Sequence, residues 1–242
     1  MSEERPRRYK PGTRSSPVAA LGCVLTFRCS EPVNREALWD ATNMNTSFAK
    51  AETLTGAVLA PLDWTRQFIL VVAFSLLMAL SAQFVIPLPW TPVPVTGQTF
   101  VVLLAGALLG SRLGALAMIA YLIEGASGLL FFRSGGGGVA YLLASPTTGY
   151  LLSYPLAAFV VGLFAERGWD RRYLTAAAAM TIGSVLILIG GWAWLTLWFK
   201  TATDAFRAGV MPFLLGDAIK IALAAAALPS GWIIVRKASH KD

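Results

Sequence analysis

Three long stretches without charged residues constrain the fold of this chain more than any other feature of its sequence. No Asp, Glu, Lys or Arg occurs over residues 67–111, 134–165 and 173–199, which are 45, 32 and 27 residues long. About 20 apolar residues are enough for one helix to cross a bilayer. A soluble helical protein would need amphipathic helices with a polar face, and none of these stretches shows one. The sequence therefore predicts an all-α protein that crosses a membrane several times.

Proline, glycine and charged residues divide the apolar sequence into about six transmembrane helices. The predicted spans cover residues 68–86, 96–110, 113–132, 148–165, 174–199 and 213–235. The second span is short, which predicts a tilted or broken helix, or one preceded by a loop that folds into the protein. Residues 64–238 are thus predicted to form one helical bundle.

The connections between the spans predict how this bundle is oriented. An even number of crossings places both termini on one side, where the sequence puts eight Lys or Arg residues against three on the other. The eight are Arg66, Arg112, Arg167, Arg171, Arg172, Arg236, Lys237 and Lys241, and the three are Arg133, Lys200 and Arg207. Since cytoplasmic loops carry the excess of basic residues, we expect both termini to lie on the cytoplasmic side of the inner membrane.

Residues 1–63 differ in composition from the rest. Their first part, RPRRYKPGTRSSP (residues 5–17), is basic and rich in Pro, Ser and Gly, and the apolar run VAALGCVLTF that follows has only ten residues, too few to span a bilayer. We therefore predict a disordered N-terminal extension, with Met44 as an alternative start. Cys23 and Cys29 have no histidine nearby, so they define neither a disulfide framework nor a metal site.

The net charge of +7 does not indicate nucleic-acid binding. Nine of the 20 basic residues precede residue 67, and most of the others flank the predicted spans. This distribution is typical of membrane topology, whereas a nucleic-acid interface needs a basic patch on one face.

Two charged residues interrupt the last apolar segment. Asp217 and Lys220 stand in PFLLGDAIK, residues 212–220, and residues three apart are neighbours on one helix face. An intramembrane charge is costly and marks a functional site by default, usually paired and facing the bundle interior. The sequence favours a ligand site at this pair; the alternative is an ion pair that only locks two helices.

A proline-rich segment precedes the second span. PLPWTPVPVTGQT, residues 87–99, has four prolines within eight residues, so it is expected to be a stiff extended loop rather than a helix. Such backbone is tolerated at membrane depth only inside protein or beside a water-filled cavity. Thr96 and Gln98 are therefore candidate ligand contacts, and the segment is predicted to cap a site.

A glycine-rich segment follows the third span. Glycines 135–138 are followed by no Lys-Ser or Lys-Thr, which excludes a Walker phosphate loop there. They would instead let a loop approach a ligand closely or fold beneath the proline-rich segment. Tyr121, Phe131 and Tyr150 near this segment are candidate apolar contacts, although aromatic residues at span ends also form the ordinary interfacial belt.

The sequence carries no catalytic set that would indicate an enzyme. It has neither a paired Ser and Lys nor a histidine-based metal motif, because His240 is the only histidine. An intramembrane protease or metal-dependent lipid enzyme is therefore disfavoured, and no cofactor or metal is expected. The remaining interpretation is a ligand pocket in a helical bundle, open to the outside.

The motifs in this order resemble the BioY family, the biotin-binding S components of energy-coupling factor transporters. The resemblance is carried by PLPWTPVPVTGQT, by YLIEGASG, by the glycine run with SPTTGYLLSYPLAAFVVG, and by PFLLGDAIK, and it covers about residues 68–236. It implies six helices, high-affinity biotin uptake, and ligand contacts from Asp217 and Lys220 of a Gly-Asp-x-x-Lys motif. The implied partners are a transmembrane scaffold protein and two ABC-type ATPases, which alone would use ATP.

One further expectation follows from this resemblance. The small residues Ser75 and Ala79 on the first span correspond to the pattern with which the family docks on its scaffold protein. Two residues depart from the family. Glu124 stands where the family has an apolar residue, and its role is not predicted. Arg133 precedes the glycines and is a candidate contact for the biotin carboxylate; the alternative is an arginine that is only solvated.

Other functions within the same architecture remain open. An S component for thiamine or riboflavin, or a solitary biotin transporter, would show the same composition. The sequence also leaves open whether the chain acts as a homo-oligomer or only with an ATPase module.

Overall fold

The computed structural model describes residues 53–59 and 63–239. Most of the predicted N-terminal extension, with both cysteines and Met44, lies outside these residues. Within it, Leu54–Leu59 form a short helix, α1, which packs on the helices at residues 98–109 and 211–239.

Helices make up most of the described chain, as the sequence predicted. After α1 they are α2 Trp64–Gln83, α3 Gln98–Leu109, α4 Ser111–Ala126, α5 Val139–Ala144, α6 Thr148–Glu166, α7 Tyr173–Leu195, α8 Ala202–Gly209 and α9 Met211–Ser239. Helices α2, α3, α4, α6, α7 and α9 correspond to the six predicted spans. The prediction of an all-α helical bundle is confirmed.

Four of these six helices are long and apolar enough to cross a membrane: α2, α6, α7 and a segment containing α9. Helices α3 and α4 have only 12 and 16 residues, and a helix of 12 residues is about 18 Å long. Because a bilayer core is about 30 Å thick, α3 needs the connection before it to complete its path. This agrees with the predicted loop folded into the protein.

The third predicted span is wrong at its carboxyl end. It was expected to continue to Phe132, but α4 ends at Ala126. Gly128 then takes a φ of 105°, a left-handed conformation that a helix cannot contain and that glycine adopts at little cost. Residues 127–138 consequently fold back over the bundle instead of extending the helix.

The proline-rich segment forms a small hairpin at one end of the bundle. Its strands β1 (Val85–Ile86) and β2 (Val95–Thr96) pair antiparallel, with Val85 opposite Thr96. The prolines lie between and beside these strands, where the missing N–H groups are not needed. We call this end of the molecule the hairpin end, and the α4–α6 and α7–α8 connections lie there too.

Helices α6 and α7 pack closely because glycines face each other. A Cβ atom added to Gly149 would lie 2.3 Å from the carbonyl oxygen of Gly190, and one added to Gly190 would lie 3.0 Å from that of Gly149. Small residues at such interfaces let membrane helices come close enough for extensive van der Waals contact. This contact matters because the hydrophobic effect does not drive helices together in lipid. These glycines therefore set the distance between the two helices.

Polar contacts join the helices at the opposite end. The Glu166 carboxylate accepts hydrogen bonds from the backbone N–H and the hydroxyl of Ser111, at 2.7 and 2.8 Å, and so caps the start of α4. Asp170, in the α6–α7 connection, accepts one from the indole N–H of Trp232 at 2.5 Å. Burial raises the pKa of Asp170, against the lowering effects of Trp232 and Arg171.

The proposed docking residues on α2 face the interior of this chain. Ser75 is fully buried and Ala79 is 8% exposed, because this face of α2 packs on α4. The Ser75 hydroxyl contacts the carboxylate of Glu124 at 3.2 Å, so Glu124 forms an interhelical contact. In this arrangement the small residues serve the α2–α4 interface, and their docking role stays a prediction.

We expect Gly149→Ala to lower the thermal stability of the purified protein in detergent. The new methyl group has backbone atoms of α7 in its way, and overpacking of this kind costs about 1–3 kcal/mol. Gly216→Ala is the matched control, because a Cβ atom there would meet nothing closer than 4.0 Å. Equal melting temperatures for the two variants would contradict the close α6–α7 packing.

Candidate functional site

A cavity lies below the hairpin, between the halves of α6, α7 and α9 nearest the hairpin end. The space between its lining residues is about 540 Å³, which counts the part open to solvent. The lining residues are Val93, Pro94, Thr96, Gln98, Thr99, Arg133, Tyr141, Thr147, Tyr150, Leu151, Tyr154, Leu188, Phe213, Asp217 and Lys220.

Asp217 and Lys220 both line this cavity. They lie one turn apart on α9, with 3.7 Å between the Lys220 Nζ and the Asp217 Oδ1, as the spacing predicted. Asp217 is only 6% exposed, and its Oδ2 accepts a hydrogen bond of 2.6 Å from the Ser184 hydroxyl on α7. A charge this deeply placed is tolerated because it is paired and hydrogen-bonded.

The hairpin holds Lys220 from the other side. The Lys220 ammonium donates to the carbonyl oxygen of Thr96 at 2.8 Å and to the hydroxyl of Thr99 at 2.7 Å. These contacts tie α9 to the start of α3 and orient the ammonium group. The cavity wall therefore presents a fixed hydrogen-bond acceptor, the Asp217 carboxylate, next to a fixed donor.

Gln98 adds a further polar group to the wall, beside Asp217 and Lys220. Its amide nitrogen donates to the Tyr121 hydroxyl at 2.8 Å, and its amide oxygen accepts from the Thr96 hydroxyl at 3.3 Å. Tyr121 itself is fully buried, and its hydroxyl donates to the carbonyl oxygen of Phe131 at 3.3 Å.

Two of the eight candidate ligand contacts therefore do not line the cavity. Tyr121 orients Gln98 from behind the wall, and Phe131 supplies a backbone acceptor for Tyr121. The other six, namely Asp217, Lys220, Gln98, Thr96, Arg133 and Tyr150, are brought together around the cavity. Their contact with a ligand stays a prediction.

Aromatic side chains form the apolar part of the cavity. The hydroxyl of Tyr150 donates to the carbonyl oxygen of Gly209 at 2.6 Å, which fixes the ring 6.0 Å from that of Phe213. Tyr154, one turn further along α6, is 3% exposed. Flat, rigid rings of this kind suit a ligand with apolar ring surface.

Arg133 links the glycine-rich segment to the hairpin. Its guanidinium group donates to the carbonyl oxygen of Pro92 at 3.3 Å, and one such bond leaves other N–H donors of the group available. Close approach here depends on glycine, since a Cβ atom on Gly137 would lie 2.5 Å from the Leu129 carbonyl oxygen. The glycine run thus lets the loop fold against its own backbone beneath the hairpin, as predicted.

Sequence reasoning did not single out Ser184 and Tyr154, and it named Thr99 only within the hairpin segment. Each had a weak signal: Ser184 is a polar residue within an uncharged span, and Tyr154 follows Tyr150 by one helical turn. Polar residues in membrane helices often face the interior, but no pattern in the sequence indicated that Ser184 faces Asp217.

The described residues contain no group of three or more His, Cys, Asp or Glu that could hold a metal ion.

We expect Ser184→Ala to destabilise the protein without ligand. The change removes one hydrogen bond from a buried carboxylate, which costs about 1–3 kcal/mol. Ser230→Ala on α9 is the matched control, because the Ser230 hydroxyl is exposed and bonds only to the carbonyl oxygen of Ala226 in its own helix. Thermal unfolding in detergent should separate the two variants, and equal melting temperatures would show that Asp217 does not depend on Ser184.

Comparison with known proteins identifies the family of the chain. The sequence model of the BioY family matches residues 44–237. A probable biotin transporter BioY from Pyrococcus horikoshii is 40% identical over 66% of this chain and 91% of that protein. The biotin transporter BioY from Thermotoga maritima is 37% identical over 66% and 92% of the two chains.

One solved structure has the same fold. It is the S-component for biotin from an ECF-type ABC transporter, with a TM-score of 0.62 over 74% of this chain and 92% of that one, at 22% identity. The match of the family model over most of the chain and the similarity to curated members agree, and the chain belongs to the BioY family.

Proposed function

We propose that this protein is the biotin-binding S component of an energy-coupling factor transporter and takes up biotin across the cytoplasmic membrane. The support is twofold: curated relatives that match this chain over more than nine tenths of their own length are named biotin transporters, and a solved structure with this fold is a biotin S-component. The observation that carries the proposal is the Asp217–Lys220 pair on the wall of a closed-in cavity.

The pair has the chemistry to recognise the cyclic urea of biotin. This ring carries two N–H donors and one carbonyl acceptor. The Asp217 carboxylate can accept from an N–H, and the Lys220 ammonium can donate to the carbonyl oxygen, in charge-assisted hydrogen bonds. Hydrogen bonds with Ser184 and Thr99 restrain both groups before a ligand arrives, so binding would order few side chains.

The remaining wall suits the rest of the ligand. Tyr150, Tyr154 and Phe213 would cover the sulfur-containing ring and the aliphatic chain, which have no hydrogen-bonding groups. Arg133, with a single protein hydrogen bond, would meet the carboxylate at the end of that chain.

Energy for uptake would come from partner proteins. The glycine run lacks the residues of a phosphate-binding loop, and the solved structure with the same fold comes from an ECF-type ABC transporter. We therefore propose a transmembrane scaffold protein and two ABC-type ATPases as partners, with no cofactor bound by this chain. Since Ser75 and Ala79 are buried, docking through them would require α2 to move away from α4.

We predict that the purified protein binds biotin without ATP, and that Asp217→Asn and Lys220→Met each abolish most of this binding. Each change removes one contact to the urea ring and leaves the partner's charge unpaired, which costs about 2–5 kcal/mol of binding free energy. Equilibrium binding of labelled biotin to detergent-solubilised protein measures this loss, with thermal unfolding as the check that each variant is folded.

The double variant Asp217→Asn/Lys220→Met separates this role from a purely structural one. A pair that only joined helices could be replaced without stranding a charge, so the double variant would recover stability and binding together. We expect it to recover stability and to remain unable to bind. Binding of biotin by the double variant at the wild-type level would contradict the site assignment. Displacement of biotin from the wild type by equimolar thiamine or riboflavin would contradict the choice of vitamin.

The hairpin end is proposed to face outward, with both termini in the cytoplasm. Single cysteines at Ser127 and Arg172 test this in a variant lacking Cys23 and Cys29, because both positions are exposed and lie at opposite ends of the bundle. A membrane-impermeant thiol reagent added to intact cells should label position 127 and spare position 172. The reverse pattern would invert the topology and place the cavity inside.

A further inference from the structure

A second depression, open to solvent, lies at the hairpin end beside the cavity. The space within it is about 1,000 Å³, which counts open solvent, and the lining residues are Trp90, Trp198, Phe199, Lys200, Asp204, Arg207 and Ala208. We call it the rim groove. Trp90 comes from the hairpin, and the other residues come from the α7–α8 connection and α8 itself.

The rim groove and the cavity share a wall. The Thr91 hydroxyl donates to the carbonyl oxygen of Ala208 at 2.7 Å, which fastens the hairpin to α8. Gly209, the next residue, receives the hydrogen bond of Tyr150 from the cavity side. One short stretch of the hairpin thus borders both spaces: Trp90 lines the groove, and Val93 and Pro94 line the cavity.

The charges of the groove are unbalanced. Lys200 and Arg207 are both exposed, and among the described residues neither forms an ion pair with a carboxylate. The single acid, Asp204, is engaged locally: its Oδ2 accepts from the Thr201 hydroxyl at 2.6 Å at the start of α8. The groove therefore presents two cations, Lys200 and Arg207, beside the exposed indoles of Trp90 and Trp198.

We propose that the rim groove is an entry site that attracts the carboxylate of the incoming ligand before the ligand passes the hairpin into the cavity. This inference rests on the proposed function, because biotin is an anion with an apolar ring body. Two cations at the mouth of a cleft raise the local concentration of an anionic ligand and its association rate, and the indole faces offer the ring body a transient contact. The groove would set the rate of capture, and the Asp217–Lys220 pair would set the affinity.

The test is the association rate of biotin with Lys200→Gln/Arg207→Gln, measured by rapid mixing with protein in neutral detergent. At about 0.01 M salt, where the Debye length is about 30 Å, we expect association to slow by about threefold to tenfold. At about 1 M salt, where it is about 3 Å, the difference should vanish. The dissociation rate should stay unchanged, because the final site is intact.

Three comparisons make the test specific. Arg167→Gln/Arg172→Gln removes the same charge from exposed positions at the opposite end and should leave the association rate unchanged. Asp204→Asn should accelerate association. The alcohol analogue of biotin, which has no carboxylate, should bind the wild type and the Lys200→Gln/Arg207→Gln variant at equal rates.

Several results would overturn the proposal. One is an unchanged association rate in the groove variant, and another is equal slowing for biotin and its alcohol, which would indicate altered structure. A rate difference that appears only when anionic phospholipid is added would assign the cations to lipid headgroups instead. Failure of wild-type protein to bind biotin at equilibrium would remove the proposed function as well, and that result is obtained before any variant is compared.

Discussion

The buried pair on α9 determines how the rest of the hairpin end is built. A carboxylate at the depth of Asp217 is costly in a membrane unless its charge is matched and its oxygens are hydrogen-bonded. Lys220 provides the charge and Ser184 a hydrogen bond. Lys220 in turn needs acceptors, which Thr96 of the hairpin and Thr99 of α3 supply. Helices α3, α7 and α9 are thus held in one arrangement by the requirements of two charges.

The hairpin depends on contacts from outside it, because it has few of its own. Only two residue pairs join β1 and β2, too short a ladder to be stable alone, so prolines restrict the backbone and side chains fasten it from outside. Thr91 binds α8 and Arg133 binds Pro92. A cap held by separate side-chain bonds can seal the cavity firmly and still be released by breaking a few of them.

Much of this fold could be predicted from the sequence, because the apolar interior of the bilayer restricts which residues a spanning helix can contain. Uncharged stretches locate the spans. Prolines and charged residues cost free energy at membrane depth, so the proline-rich segment and the Asp217–Lys220 pair indicate where a site lies. The direction in which a small or polar residue points could not be predicted, since lipid and protein interior are equally apolar and leave no amphipathic pattern. Ser75 and Ala79 therefore gave no sign that they face α4, nor Tyr121 that it lies behind Gln98. The end of α4 was missed because it depends on the φ angle of Gly128.

The two sets of charges at the hairpin end have different tasks: the exposed set attracts the ligand, and the buried set holds it. Lys200 and Arg207 are exposed, so their attraction for an anion acts over a distance and weakens with salt. Asp217 and Lys220 are buried and oriented, so they act only at contact and are hardly screened. A membrane protein that must collect a scarce ligand needs both properties, and one pair of charges cannot supply them, because burial that strengthens a contact also hides it from solution. Placing the cations on one side of the hairpin and the buried pair on the other satisfies the two requirements with the hairpin as the wall between them.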